Sequence, residues 1–225
     1  MNIQLQELYL KKINGINNLD FEGEDLDGPL LMHCWEKEYI SSEYKILFVG
    51  RESNGWLGHL TTNIHESLYR YCDFELCNNG NYTRFWQYIY DFKNILMPQT
   101  IGKRNFMWTN LSKFSTENGK AISKKNYELL VNKFNVFQRE IEILKPDIII
   151  FFTGNKWDHK IKNHFIDEIS FEIVNKKIDK SELVQVKSRL LPIHTYRVNH
   201  PITLSIEKKW NLMEEIIEQI RKKQL

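Results

Sequence analysis

An α/β fold with a largely parallel central sheet is predicted by three short apolar runs, at residues 46–49, 106–111 and 148–153, that alternate with helical patterns. The runs are rich in strand formers and do not alternate apolar with polar, as expected of strands buried on both faces. Each also meets a polar residue or a glycine at its end: Gly50, Asn110 and Gly154. Open α/β sheets bind ligands at the carboxyl edge of their strands, which makes the residues after these runs the first place to look for function.

Taken in order, Ile3, Leu5, Leu8, Leu10 and Ile13 lie near helical spacing, and the helix they predict stops before Gly15. An acidic loop follows (Asp20, Glu22, Glu24, Asp25, Asp27), to which the sequence assigns no role. Pro29 suits a first helical turn, with Leu30, Leu31, Cys34, Trp35 and Tyr39 as the apolar face. After the strand at 46–49, residues 57–80 read as an irregular loop. Thr83 is placed to cap a helix carrying Phe85, Trp86, Ile89, Tyr90 and Phe92. From Ser123, the spacing of Tyr127, Leu130, Val131, Phe134, Phe137, Ile141 and Leu144 predicts one long amphipathic helix, ended by Lys145-Pro146. A short helix over 157–165 and two or three strands between 170 and 198 come next, with Pro192 interrupting the last. His200-Pro201 is a turn, and Ser205 is placed to cap a final helix along Ile206, Trp210, Met213, Ile217 and Ile220.

With 225 residues, 42% of them hydrophobic, the chain is long enough for one sizeable core, and residues 1–225 read as one domain without repeats or linkers. The net charge of +2 excludes no partner, because a basic run can still form locally. Lys103, Arg104, Lys113, Lys120, Lys124 and Lys125, with Glu117 the only acid nearby, are either a solvated face or a DNA contact. Cys34, Cys72 and Cys77 form no metal-ligand pattern and cannot all pair, which argues for a reducing compartment, with Cys72 and Cys77 as packing residues. The sequence reads as having no signal peptide and no membrane-spanning run, so a cytoplasmic location is expected. A monomer with no metal and no cofactor is expected as well.

Three strand ends present polar residues in sequence order: Glu52, Asn110 and His200. That order, with its surrounding words, resembles the uracil-DNA glycosylase superfamily. Branches of the superfamily read Gly-Gln-Asp-Pro-Tyr, Gly-x-Asn-Pro-Gly or Gly-Glu-x-Pro-Gly after the first strand, where this chain has Gly50-Arg51-Glu52-Ser53-Asn54. The family's His-Pro-Ser-Pro-Leu-Ser stands here as His200-Pro201-Ile202-Thr203-Leu204-Ser205. An apolar strand ending in Asn is matched by Trp108-Thr109-Asn110, and Lys-Pro-Asp before a strand by Lys145-Pro146-Asp147. The likeness runs from Tyr44 to the C-terminus by order of words rather than by identity. His-Pro-x-x-Leu-Ser is its most specific word. The first word is its weakest, because it lacks the proline of every branch named.

The resemblance implies a three-layer α/β/α, uracil-DNA glycosylase-like fold and a monofunctional glycosylase that leaves an abasic site in DNA. Glu52 would stabilise the oxocarbenium-like sugar or activate water, although it is one methylene longer than the family's aspartate. His200 would donate a hydrogen bond to the base oxygen where charge develops. Asn110, with Gly50 and Asn54, would meet the edge of a flipped pyrimidine. Leu204 matches the wedge that fills the hole left by the base, and Ser205 and the basic run Lys103, Arg104 and Lys113 would contact the DNA. Trp56, Phe74 and Phe85 are unranked candidates to stack on the base. Family members with an iron–sulfur cluster need four cysteines, and this chain has three.

Each of these residues also has a plainer reading: Glu52 as a solvated turn carboxylate, His200 as a histidine satisfied in a turn, and Asn110 as a turn former. Two other functional classes stay open, a non-catalytic DNA-binding module on the same fold and a hydrolase of free nucleosides or nucleotides. In the uracil-specific branch the residue two after the catalytic acid is a tyrosine that excludes a C5 substituent. Here it is Asn54, which leads to an expected preference for a damaged or 5-substituted pyrimidine.

Overall fold

The computed structural model describes residues 1–17, 19–21, 23–77, 83–100, 102 and 104–222, with the side chain of Cys77 also outside the description. Its centre is a six-stranded sheet. In chain order its strands are β2 (Ile46–Gly50), β3 (Met107–Asn110), β5 (Ile148–Phe151), β6 (Ser170–Ile173), β7 (Leu183–Lys187) and β8 (His194–Val198). Across the sheet the order is β3-β2-β5-β8-β7-β6. The first four run parallel, β7 alone is reversed, and β6 pairs antiparallel with it, so the sheet is mostly parallel as the sequence predicts. Two further strands, β1 (Leu26–Asp27) and β4 (Ser115–Thr116), pair in a separate ribbon.

The helices are α1 (Asn2–Ile13), α2 (Glu36–Ile40), α3 (Ile64–Phe74), α4 (Arg84–Leu96), α5 (Lys124–Phe134), α6 (Phe137–Leu144), α7 (Asp158–Asn163), α8 (Pro201–Ile206) and α9 (Asn211–Lys222). They cover both faces of the sheet, as the alternation of strand side chains shows. Phe151 packs on Phe137 of α6, and α6 packs on α1. The next residue, Phe152, packs on Phe85 and Tyr88 of α4, which meets α8 and α9. Successive residues on opposite faces thus reach two separate helix layers, which makes a sandwich with every residue of β2 and β5 buried.

Four elements differ from the sequence expectation. Residues 29–35 form neither helix nor strand, and the helix α2 begins only at Glu36. The side chains of Leu30, Leu31, Met32 and Cys34 are all buried, which a one-sided helix could not achieve. Their backbone is satisfied at long range: Leu30 N donates to Lys113 O at 2.8 Å, and the Asn2 carboxamide brackets Cys34 N and O at 2.8 Å each. Within residues 57–80, α3 forms where a loop was expected, capped by Asn63, whose side chain accepts from His65 N at 3.1 Å; 78–82 lie outside the described residues. The long amphipathic helix is two, because Asn135 takes an extended conformation and binds His164 through both ends of its carboxamide. The C-terminal helix is also two, broken at Lys208 with φ +54°, so Ser205 sits inside α8 and caps nothing. Ser123 does cap α5, its Oγ accepting from Asn126 N at 3.3 Å.

Candidate functional site

Because β2, β3, β5 and β8 are parallel, their carboxyl ends share one edge. The order changes direction at β2, with β3 on one side and β5 on the other, which is the crevice where such sheets bind ligands. A cleft of about 520 Å³ opens there, lined by Glu52, Asn54, Asn110 and His200 among others. The structure thus brings together residues that the sequence separates by as much as the span from Gly50 to His200.

The loops at this edge are stitched to one another. Gly50 pairs with Asn110 in register, and a Cβ on Gly50 would lie 2.1 Å from Asn110 Oδ1, so only glycine leaves room for that carboxamide. Asn110 Nδ2 donates to Glu52 O at 2.7 Å, and Arg51 Nε donates to Thr153 O at 3.0 Å, tying the turn after β2 to those after β3 and β5.

Asp27, from the acidic loop that had no assigned role, holds the rest of the turn. Wholly buried, it accepts from the backbone N–H of Trp56, Leu57 and Gly58 at 2.6, 2.6 and 2.7 Å, and from the Ser115 hydroxyl at 3.0 Å. Three N–H groups of a loop converging on one carboxylate fix its path as a helix cap fixes a first turn. The loop carries Trp56 to the cleft wall, where it meets Phe74 edge-on at 5.2 Å and Trp108 at 5.5 Å.

Glu52 is half-buried, and its carboxyl is raised above the usual carboxylate range by burial, against the pull of Lys160 and then Arg51. His200 caps α8, its Nδ1 accepting from Ile202 N at 3.3 Å. A ring nitrogen that accepts carries no proton, so the neutral imidazole bears its hydrogen on Nε2. Burial, with Arg51 nearby adding to it, pushes the His200 pKa down to about 4, which keeps the ring neutral at pH 7. Phe85 stacks on it at 5.6 Å and 25°, setting its plane. Of the three stacking candidates, all line the cleft and Phe85 is the one against the histidine.

The expected DNA contacts fare differently. Leu204 is wholly buried: Pro201 and Leu204, three apart, face inward as α8 packs on α4, so Leu204 cannot be a wedge. The exposed apolar residue that lines the cleft is Ile202. Lys113 is buried as well and pairs with buried Glu140 at 2.6 Å, so it faces no DNA. Arg104 is tied to Glu75 in an ion pair, Ser205 is half-buried and away from the cleft lining, and Lys103 lies outside the described residues. Asn54 is exposed at the rim with φ +56°. Arg51 and Arg70 line the cleft too, although the sequence singled out neither for a role.

Compared with known proteins, the chain matches no family model and no curated protein. Among the described residues, no helix is long and apolar enough to cross a membrane.

Proposed function

We propose that this cleft hydrolyses the N-glycosidic bond of an abnormal base flipped out of DNA, leaving an abasic site, in the manner of the uracil-DNA glycosylase superfamily. The observation that carries the reading is the pairing, in one aromatic-walled cleft, of a half-buried carboxylate with an imidazole locked as an Nε2–H donor. As the bond between C1′ and the base nitrogen breaks, positive charge grows on the sugar and negative charge on the base. Glu52 stabilises the first and takes a proton from the attacking water, whose oxygen bonds to C1′. His200 donates from Nε2 to the base oxygen, where a neutral donor suffices. Phe85 and its aromatic neighbours offer the flipped ring a stacking surface and exclude water.

Ile202, exposed at the cleft beside His200, is the wedge in this reading. Incubating the protein with duplexes that carry abnormal bases and then cleaving abasic sites with alkali tests the proposal. Strand scission with wild type that is far slower with His200→Ala supports it.

One observation favours a second reading, a hydrolase of free nucleotides. The cleft itself holds Arg51 and Arg70, while Lys113 and Arg104 of the basic run are committed to internal partners. Release of base from free nucleotides at a rate above that from DNA would select it.

A further inference from the structure

Two arginines line the cleft, and the mechanism proposed for Glu52 and His200 uses neither. Arg70 is committed to the protein: its Nη1 meets Asp73 and its Nε meets Trp56 O, each at 3.4 Å. Arg51, half-buried in the turn after β2, is not. Among the described residues no carboxylate lies within ion-pair distance of its guanidinium, although Glu52 follows it in the chain. Its Nε donates to Thr153 O at 3.0 Å, and its own carbonyl accepts from Ser112 N at 2.8 Å. The two Nη nitrogens have no acceptor among the described residues, and neither is sealed from solvent.

The guanidinium is thus held from behind and free in front. Thr153, wholly buried just past β5, fixes one edge through its carbonyl. Nη2 lies beside Gly154, 3.5 Å from where a Cβ would stand there, so the free fork sits between the turns after β2 and β5. A half-buried cation without an ion pair carries a desolvation cost. Bridging two turns does not require that cost, because a neutral donor does it as well. A planar fork with two open nitrogens matches a pair of oxygens on one phosphate. The substrate of the proposed reaction carries phosphate beside the sugar whose bond breaks, and Arg51 directly precedes the residue assigned to that sugar. The base oxygen, where charge develops later, already has His200 as its donor.

We propose that Arg51 forms a phosphate subsite of this cleft, its open Nη pair gripping the phosphate next to the deoxyribose whose base has entered. The proposal rests on the glycosylase reading, in which the phosphate belongs to a DNA strand. In the second reading the same chemistry belongs to a free 5′-nucleotide. Bound phosphate also neutralises a cation that would otherwise oppose the positive charge growing on the sugar, and leaves Glu52 to act on that charge.

Binding tests this without turnover. The probe is a duplex with a tetrahydrofuran abasic site, in which each nearby phosphate is replaced in turn by a neutral methylphosphonate. Arg51→Met should weaken binding of the unmodified probe about tenfold. It should also flatten the dependence of log Kd on log salt by about 0.9, the value for one phosphate. At one methylphosphonate position the wild type should lose the same affinity, and Arg51→Met should lose little further. Arg51→Lys, which keeps the charge without the fork, should fall between the two. If Arg51 only ties two turns together, Arg51→Met lowers the melting temperature and leaves every methylphosphonate loss as in wild type, which overturns the inference. A second arm compares binding of deoxyuridine with that of its 5′-monophosphate. A preference for the monophosphate that Arg51→Met removes, with no methylphosphonate effect, keeps the subsite and assigns its phosphate to a free nucleotide. Absence of phosphate dependence in both arms overturns the subsite. A wild type that shows the phosphate pairing yet releases no base overturns the glycosylase reading instead and leaves the subsite standing.

Discussion

Asn110 and Glu52 are joined side chain to main chain: Asn110 Nδ2 donates to the Glu52 carbonyl at 2.7 Å, while Asn110 Oδ1 fills the space beside Gly50. One carboxamide therefore fixes the carbonyl of the residue on which the proposed chemistry depends, and glycine at 50 makes room for it. Gly50→Ala should displace the carboxamide and lower base release about as far as Asn110→Ala does. The double variant should lose little more than either alone, because both changes break the same contact. Fully additive losses, measured as kcat/KM, would show that the two residues act separately.

Catalysis is predicted to fall by about two to three powers of ten in Glu52→Gln and in His200→Ala, with DNA affinity nearly intact. The pH dependence has a definite sign. The carboxylate of Glu52 is required, and burial raises its pKa, so the rate falls as pH drops through that raised value. His200 stays neutral down to about 4 and adds no loss near neutrality. A release rate that rose toward acid pH would reverse the assignment and make Glu52 a proton donor.

The same histidine, with His164, sets a stability slope. Burial lowers His200 to about 4 and His164 to about 3, whereas an unfolded histidine ionises near about 6.5. Between those values the unfolded chain binds more protons, so stability falls as pH drops below about 6.5. Urea unfolding at a series of pH values should show this, with a shallower slope in His164→Asn. An identical slope in that variant would place the acid sensitivity elsewhere.

Much of the architecture was legible because strands buried on both faces leave unbroken apolar runs, as 46–49 and 148–151 do. What escaped was whatever depends on partners far along the chain. Lys113 reads as a surface charge because Glu140 is distant in sequence, and Asp27 reads as one acid among several because the N–H groups it accepts lie around Trp56. Leu204 was placed by matching a word, and one residue's phase on a two-turn helix decides whether it faces core or solvent. The helix α3 left a readable signal, an Asn63 cap followed by Ile64, Leu68 and Tyr71 at helical spacing, amid polar residues that obscured it.

Asp27→Ala should unseat the turn that carries Trp56, since three backbone donors and a hydroxyl lose their acceptor at once. A destabilisation of about 2–4 kcal/mol is expected, with base release falling further than stability accounts for. Unfolding curves and rates measured well below the melting range separate the two effects. Unchanged stability would mean that the loop holds itself.

Ile202, the proposed wedge, and Leu204, the buried residue at the position matched by sequence, call for different outcomes. Ile202→Ala should slow release from duplex DNA more than from single strands, because only a duplex leaves a hole to fill, and should leave stability nearly untouched. Leu204→Ala should instead cost about 2–5 kcal/mol of stability, as a buried leucine does. Equal slowing on both substrates by Ile202→Ala would remove the wedge role.

In the proposed glycosylase reading, base choice would turn on Asn54. By the resemblance in sequence it would take the place of the tyrosine that blocks C5 in the uracil-specific branch, and its Oδ1 sits so near Gly119 that a Cβ there would come within 3.1 Å. Asn54 lines a cleft whose 520 Å³ exceeds what a bare pyrimidine ring needs. Phe74 and Arg70, from the segment after the turn, do reach the lining, so that segment closes part of the space that the missing tyrosine leaves. Arg70, lying over the Trp56 ring at 5.5 Å, keeps a guanidinium at the wall where a polar 5-substituent would find a donor. We therefore expect 5-hydroxymethylcytosine or its glucosylated form to be released faster than uracil or thymine. Asn54→Tyr should suppress the substituted bases while sparing uracil, and Arg70→Ala should weaken discrimination among the substituted ones. The measurement is a panel of duplexes carrying uracil, thymine, 5-hydroxymethylcytosine and glucosylated cytosine, scored for abasic sites. Release of uracil alone, unaltered by Asn54→Tyr, would show that Phe74 and its neighbours have taken over the tyrosine's exclusion.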